Sequence, residues 1–219
     1  MIKARLGADL DRTIERVFPF VTRLRLNPDT LTLAGAVASG AAGSAFAMQA
    51  PRVGGLLLLV AGFFDLIDGV VARNQGRSSA SGAFFDSTMD RVSELLVFAG
   101  IGVAMARAGD VPGTLLLFWA LLGSFMTSYT RARAEKDLTS LSAGLMERAE
   151  RWLVLIVGAL VGYLQVALLV VAVGSTLTAI QRVRAARRML QILDDTGRDP
   201  TLEGSPAGDV VHPEGASHD

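Results

Sequence analysis

Residues 65–90 read DLIDGVVARNQGRSSASGAFFDSTMD. Asp65, Asp68, Asp86 and Asp90 stand at the ends of two apolar stretches. An Asp well inside a membrane-spanning helix costs about 2.5–3.5 kcal/mol on insertion scales. Four close together also repel one another, so something must offset them. Asp65 and Asp68 are three apart and share a helix face, and Asp86 and Asp90 are four apart on the next helix. The short link makes the two helices antiparallel neighbours, whose ends bring four carboxylates around one point. Hard divalent cations take such all-oxygen surroundings, and Mg²⁺ also takes phosphate oxygens. The alternative is that some of these aspartates cap helices or pair with Arg73 and Arg91.

Outward from this stretch, the 219-residue chain is apolar. Hydrophobic residues make up 51%, charged residues 19%, and the mean hydropathy is +0.42. A soluble domain averages about 25% charge, so the composition speaks against a soluble enzyme. The formal net charge is zero, which removes the case for a general nucleic-acid binder. The absence of Cys excludes disulfides, thiolate zinc sites and a cysteine nucleophile. His212 and His218 lie in the last eight residues, which excludes a His triad or His-rich metal site in the body of the chain. Transition-metal chemistry is therefore disfavoured and carboxylate oxygen is the available ligand.

Six apolar stretches approach the roughly 20 residues that cross a hydrocarbon layer. They run near 32–48, 53–71, 84–105, 111–129, 152–164 and 166–180, the last two joined at Gly162-Tyr163-Leu164-Gln165. With six spans, only Arg52 and Arg107 of the 21 basic residues fall on one side. That asymmetry places both termini in the cytoplasm and favours an even number of spans. The expected fold class is an all-α membrane protein, with six transmembrane helices preceded by an interfacial amphipathic helix.

In residues 1–25, Ile2, Leu6, Leu10, Ile14, Val17 and Val21 recur at helical spacing opposite Arg and Asp. This predicts a helix lying in the membrane plane rather than a cleaved signal peptide. Residues 26–190 form the six-helix domain, and residues 191–219, rich in Asp, Gly, Pro and Ser, read as a disordered tail. Gly35, Ala36, Ser39, Gly40, Gly43 and Ser44 let the first span pack closely, within the bundle or across a dimer.

Written as a pattern, the opening stretch is D-x2-D-G-x2-A-R-x8-G-x3-D-x3-D, with all eight fixed positions filled. It resembles the signature of the CDP-alcohol phosphatidyltransferases, membrane enzymes of phospholipid head-group synthesis. The resemblance implies displacement of CMP from a CDP-linked lipid by an alcohol hydroxyl. It implies that Asp65, Asp68 and Asp86 ligate two Mg²⁺ or Mn²⁺ ions. Asp90 is then the general base and catalytic residue, and also touches the second metal. Two cations can clamp a diphosphate and its leaving phosphate, and a carboxylate can take the acceptor's proton. Gly69, Ala72 and Gly82 would allow close backbone approach to the nucleotide, with Arg73 and Ser79 as further contacts. Pro28, Asp29, Thr30 and Leu31 match a stretch that contributes to the CDP-diacylglycerol pocket in this family. Asp29 or Thr30 would also serve as a helix N-cap.

The acceptor is read from Ser128-Tyr129-Thr130-Arg131-Ala132-Arg133-Ala134-Glu135 and Glu147-Arg148-Ala149-Glu150-Arg151. Several arginines beside an acidic metal site suit a phosphorylated acceptor, because Arg forks bind phosphate in bidentate fashion. Simple snorkelling accounts for Arg184, Arg187 and Arg188. The pattern resembles the phosphatidylinositol-phosphate synthase branch of actinobacterial type. That resemblance implies inositol 1-phosphate as acceptor, held by Ser128, Arg131, Arg133, Arg151 and Arg182, and a homodimer in the plasma membrane. The rival within the enzyme class is phosphatidylglycerophosphate synthesis from glycerol 3-phosphate. A transporter is the rival from another class, disfavoured because the aspartates crowd at one interface.

Overall fold

The computed structural model describes residues 27–74, 79–141, 143–197 and 199–201, without the side chains of residues 70 and 72–74. The interfacial helix expected over residues 1–25 lies outside them, as do residues 202–219 of the expected tail. Among the described residues the fold is all-helical: α1 Pro28–Ala47, α2 Pro51–Asn74, α3 Ala80–Arg107, α4 Val111–Ala134, α5 Arg148–Val161 and α6 Leu164–Thr196.

Local chemistry sets the helix ends. Asn27, not Asp29 or Thr30, caps α1, its side chain accepting the Asp29 N–H at 3.2 Å. Pro28 explains the offset, since a residue without N–H suits the first helical position and the cap falls just before it. Ser79 caps α3 by accepting the Gly82 N–H at 3.0 Å. Asp110 caps α4 through Gly113. Gly162, in the left-handed region at φ 89°, closes α5 and lets the chain reverse into α6.

α1 packs on α2 and α3, α4 packs on α6, and α5 bridges α2 and α6. Phe46, Leu58, Phe98, Ile101, Leu155 and Leu168 fill the centre. The outward faces are apolar too. On α4, Leu115, Phe118, Leu122 and Phe125 recur at helical spacing and are each more than half exposed. Such a stripe would be an unstable surface in water and is the natural surface in lipid. By length and composition, α1, α4 and α6 can each cross a membrane. α5 departs from the six-span expectation, because its 14 residues reach only about 21 Å at 1.5 Å per residue, short of a roughly 30 Å hydrocarbon core.

The small residues of α1 are used inside the chain. Gly35 faces Ala61 and Phe64 of α2, and Gly43 lies against the Leu96 carbonyl of α3. A Cβ on Gly100 would collide with the Gly43 carbonyl, whereas one on Gly40 would meet only the end of Leu96 at 3.6 Å. Gly100→Ala is therefore expected to cost about 1–3 kcal/mol through forced separation of α1 and α3. Gly40→Ala should gain a few tenths to about 1 kcal/mol from helix propensity. Thermal unfolding in detergent should move in opposite directions for the two variants; a shared direction would contradict the close contact.

The boundary expected at residue 190 shifts. α6 continues to Thr196 and closes at Gly197, with φ 66°. Tertiary packing stabilises this extension: Ala186, Met189, Leu190 and Leu193 lie against Ala134, Leu138 and Leu141. Asp199 then accepts the backbone N–H and hydroxyl of Thr139 at 2.6 and 2.7 Å, and those of Thr201 at 2.9 and 2.6 Å. The Thr201 and Thr139 hydrogen bonds hold its carboxyl well below the usual range. These contacts tie the α4–α5 connection to α6.

Candidate active site

The charged residues gather at the end of the bundle where α2 and α4 finish and α1, α3 and α5 begin. Each helix supplies its part by register. Asp65 and Asp68 lie on the last turns of α2, and Asp86 and Asp90 on the first turns of α3. One carboxylate oxygen from each of Asp65, Asp68 and Asp86 falls within 4.8 Å of the other two. Asp68 is buried and accepts a 2.9 Å hydrogen bond from the Thr32 hydroxyl of α1. Asp86 Oδ1 is buried and has no hydrogen-bond partner among the described residues. An orphaned carboxylate oxygen among two further carboxylates, with neither Cys nor His among the described residues, is a donor set that fits a hard divalent cation. The cluster could hold one.

Asp90 adjoins this group through Arg148 at the start of α5. Arg148 Nη1 donates to Asp65 Oδ1 at 2.7 Å and also to Asp90 Oδ1. Its guanidinium lies 4.5 Å from the Trp152 ring centroid, which fixes the side chain over an aromatic face. Arg91 lies 3.9 Å from the other Asp90 oxygen. A cavity of about 10 Å³, the size of one water, is lined by Thr32, Asp65, Asp68, Asp90, Ser93 and Arg148 among others. A larger cavity of about 640 Å³ opens between α2 and α5. Leu59, Phe63, Leu66, Trp152 and Ile156 line it, and it reaches Asp65 and Arg148. The lipid-facing groove and the charged site are thus continuous.

The residues expected at the CDP pocket fall on the same end of the bundle. Leu31 is buried against Ile67 and Val71, while Asp29 and Thr30 are exposed at the start of α1. The Ser79 hydroxyl and Gly82 N–H are bonded to each other as the α3 cap. Gly69 is half-buried on α2, and the side chains of Ala72 and Arg73 lie outside the described residues.

The residues expected to hold an acceptor divide into two groups. Arg131 and Arg133, at the end of α4, are paired with Glu135 and Asp137 at 2.9 Å each and are exposed. Ser128 donates to the Ser124 carbonyl at 3.3 Å. Arg151 and Arg182, by contrast, are buried and share Thr127: Arg151 Nη1 reaches its hydroxyl at 3.3 Å and Arg182 Nη1 its carbonyl at 2.7 Å. Arg182 also donates to the Ala143 carbonyl at 2.7 Å. Sequence reasoning left out Arg148 as a partner of the aspartates, Thr127 and Glu94. Glu94 was within reach, because it continues the row 86–90–94 at four-residue spacing. Arg148 and Thr127 had no comparable signal, since their partners lie far away in the chain.

An all-helical bundle with an apolar exterior and, at one end, an acidic cluster suited to a divalent cation is the architecture of a membrane protein with a charged site. Residues 25–179 match the CDP-alcohol phosphatidyltransferase family, and the chain belongs to it. It is accordingly a transferase. It is 38% identical to the archaetidylinositol phosphate synthase of Methanothermobacter thermautotrophicus, over 75% of this chain and 85% of that one. It is 35% identical to the phosphatidylinositol phosphate synthase of Streptomyces avermitilis, over 86% of this chain and 83% of that one. The phosphatidylinositol phosphate synthase of Mycobacterium tuberculosis, solved with CDP-DAG bound, superposes with a TM-score of 0.69 at 30% identity, covering 83% of this chain and 94% of that one. The same mycobacterial enzyme has been solved with manganese and citrate, again with a TM-score of 0.69 at 30% identity, over 83% of this chain and 88% of that one.

Proposed function

We propose that this protein moves a phosphatidyl group from CDP-diacylglycerol to inositol 1-phosphate, giving phosphatidylinositol phosphate and CMP. The observation that carries the reading is that the aspartate cluster and the buried pair Arg151 and Arg182 lie toward the same end of the bundle. The names of the relatives support inositol phosphate as the acceptor.

In this reading Asp65, Asp68 and Asp86 hold two Mg²⁺ ions, with Mn²⁺ able to substitute. When bound, the cations neutralise the diphosphate and stabilise the departing CMP phosphate. Asp90 takes the proton of the acceptor hydroxyl as its oxygen bonds to the lipid-linked phosphorus and the bond to CMP breaks. Pro28, Asp29, Thr30, Leu31, Gly69, Ala72, Arg73, Ser79 and Gly82 surround the CDP group. The groove between α2 and α5 takes an acyl chain. Arg151 and Arg182 bind the acceptor phosphate, with Ser128, Arg131 and Arg133 at the entrance. The helices make six crossings, α5 where the bilayer is locally thinned. Both termini and the site face the cytoplasm at the plasma membrane, and the working unit is a homodimer.

The test is acceptor competition with purified protein, CDP-diacylglycerol and Mg²⁺. CMP release is expected with inositol 1-phosphate and to be at least about 100-fold slower with free inositol, which leaves the buried arginines unpaired. Release with glycerol 3-phosphate alone would overturn the acceptor assignment in favour of phosphatidylglycerophosphate synthesis.

A further inference from the structure

Glu94 lies one turn beyond Asp90 on α3 and is only 4% exposed, yet it is not a member of the aspartate cluster. We propose that Glu94 is a positioning residue that sets the guanidinium of Arg151, and through Thr127 that of Arg182, for the phosphate of the acceptor. The proposal rests on the reading above, in which these two arginines bind that phosphate.

Three helices meet at this carboxylate, and a fourth joins them through Thr127. Glu94 Oε1 accepts from the Ser124 hydroxyl of α4 at 2.6 Å and from Arg151 Nε of α5 at 2.9 Å. Thr127, one turn along α4, touches Arg151 with its hydroxyl and Arg182 of α6 with its carbonyl. The Thr127 hydroxyl in turn donates to the Ser124 carbonyl at 2.7 Å, which closes the network. Glu94 thus grips the Nε edge of Arg151, and Thr127 holds Nη1. Nη2 is buried and has no hydrogen-bond partner among the described residues.

A stability role explains this poorly. Apolar residues of similar volume would serve the core as well as a buried ion pair, and a charged donor left without an acceptor is costly. The arrangement makes sense if an anion completes it. A phosphate oxygen is the acceptor that Nη2 lacks, and a guanidinium pinned along one edge cannot turn away from it. Glu94 supplies the pin and keeps its own charge balanced by Arg151.

The full-length enzyme in detergent, with CDP-diacylglycerol and Mn²⁺, provides the test. Glu94→Gln keeps the shape and one acceptor oxygen but removes the charge. It should raise KM for inositol 1-phosphate by about 10- to 100-fold. KM for CDP-diacylglycerol and the Mn²⁺ affinity should stay within about twofold, a change worth under 0.5 kcal/mol. Glu94→Asp should recover part of the acceptor affinity. If Glu94→Gln does not fold, Ser124→Ala removes one of the two bonds to the carboxylate. It should raise the same KM by about 2- to 10-fold, in line with one lost hydrogen bond. An acceptor KM that stays unchanged, or rises in parallel with that of CDP-diacylglycerol, overturns the proposal. Arg151→Gln separates this from failure of the functional reading. If it leaves the acceptor KM intact, the arginine site itself is wrong, whatever Glu94 does.

Discussion

Asp86→Asn is expected to lower CMP release by about 1,000-fold or more, with a matching loss of Mn²⁺ binding in an electron paramagnetic resonance titration. Cation stabilisation of a phosphoryl transition state supplies several kcal/mol, and each 1.36 kcal/mol is tenfold in rate. Asp86 is the sharpest place to remove it. Its Oδ1 is buried with no hydrogen-bond partner among the described residues, so the amide loses a ligand without breaking a described hydrogen bond to that oxygen. Asp68→Asn is a less clean test, since Thr32 donates to that carboxylate and would also be disturbed. Unchanged Mn²⁺ affinity in Asp86→Asn would show that the cluster of Asp65, Asp68 and Asp86 is not the cation site.

Asp90→Asn is expected to reduce CMP release by about 10²- to 10⁴-fold, the range for removal of a general base. Here Mn²⁺ should still bind the other three aspartates, because Asp90 lies outside their group and is joined to Asp65 by Arg148. The two variants therefore part on the same pair of measurements: one loses metal and rate, the other rate alone. The amide would keep a contact to Arg148 while losing the ability to accept a proton, so a gross collapse of the site is not expected. Activity retained in Asp90→Asn would refute its role as base.

The carboxylates were legible because their spacing is local. Asp65 with Asp68, and Asp86 with Asp90, sit three and four residues apart, and helical geometry alone puts each pair on one face. The groups that surround them come from elsewhere. Arg148 reaches Asp65 across 83 positions, and Arg151 reaches Glu94 across 57. Of the arginines expected to converge, Arg151 and Arg182 come together on Thr127. Arg131 and Arg133 instead pair with carboxylates of the next turn on their own side of the loop. An Arg with an acidic residue four positions on can satisfy itself locally, a competition that a count of arginines does not reveal. The helical end at Thr196 was hidden in the same way. The composition after Leu193 is that of a loop, and packing against Ala134, Leu138 and Leu141 holds the last turns.

Composition, hydropathy period and local spacing determined by themselves that the chain is a bundle of apolar helices, where each helix begins within a few residues, and that four aspartates lie at one end. These properties depend on residues within a turn or two of one another. The tertiary structure decided which buried oxygen lacks a partner, that α5 is a short helix, and that Arg148 joins Asp65 to Asp90. It also decided that Glu94 holds Arg151. Those outcomes depend on how helices cross, and the crossing is set by side-chain volumes such as the absent Cβ of Gly43 and Gly100, which let two backbones touch.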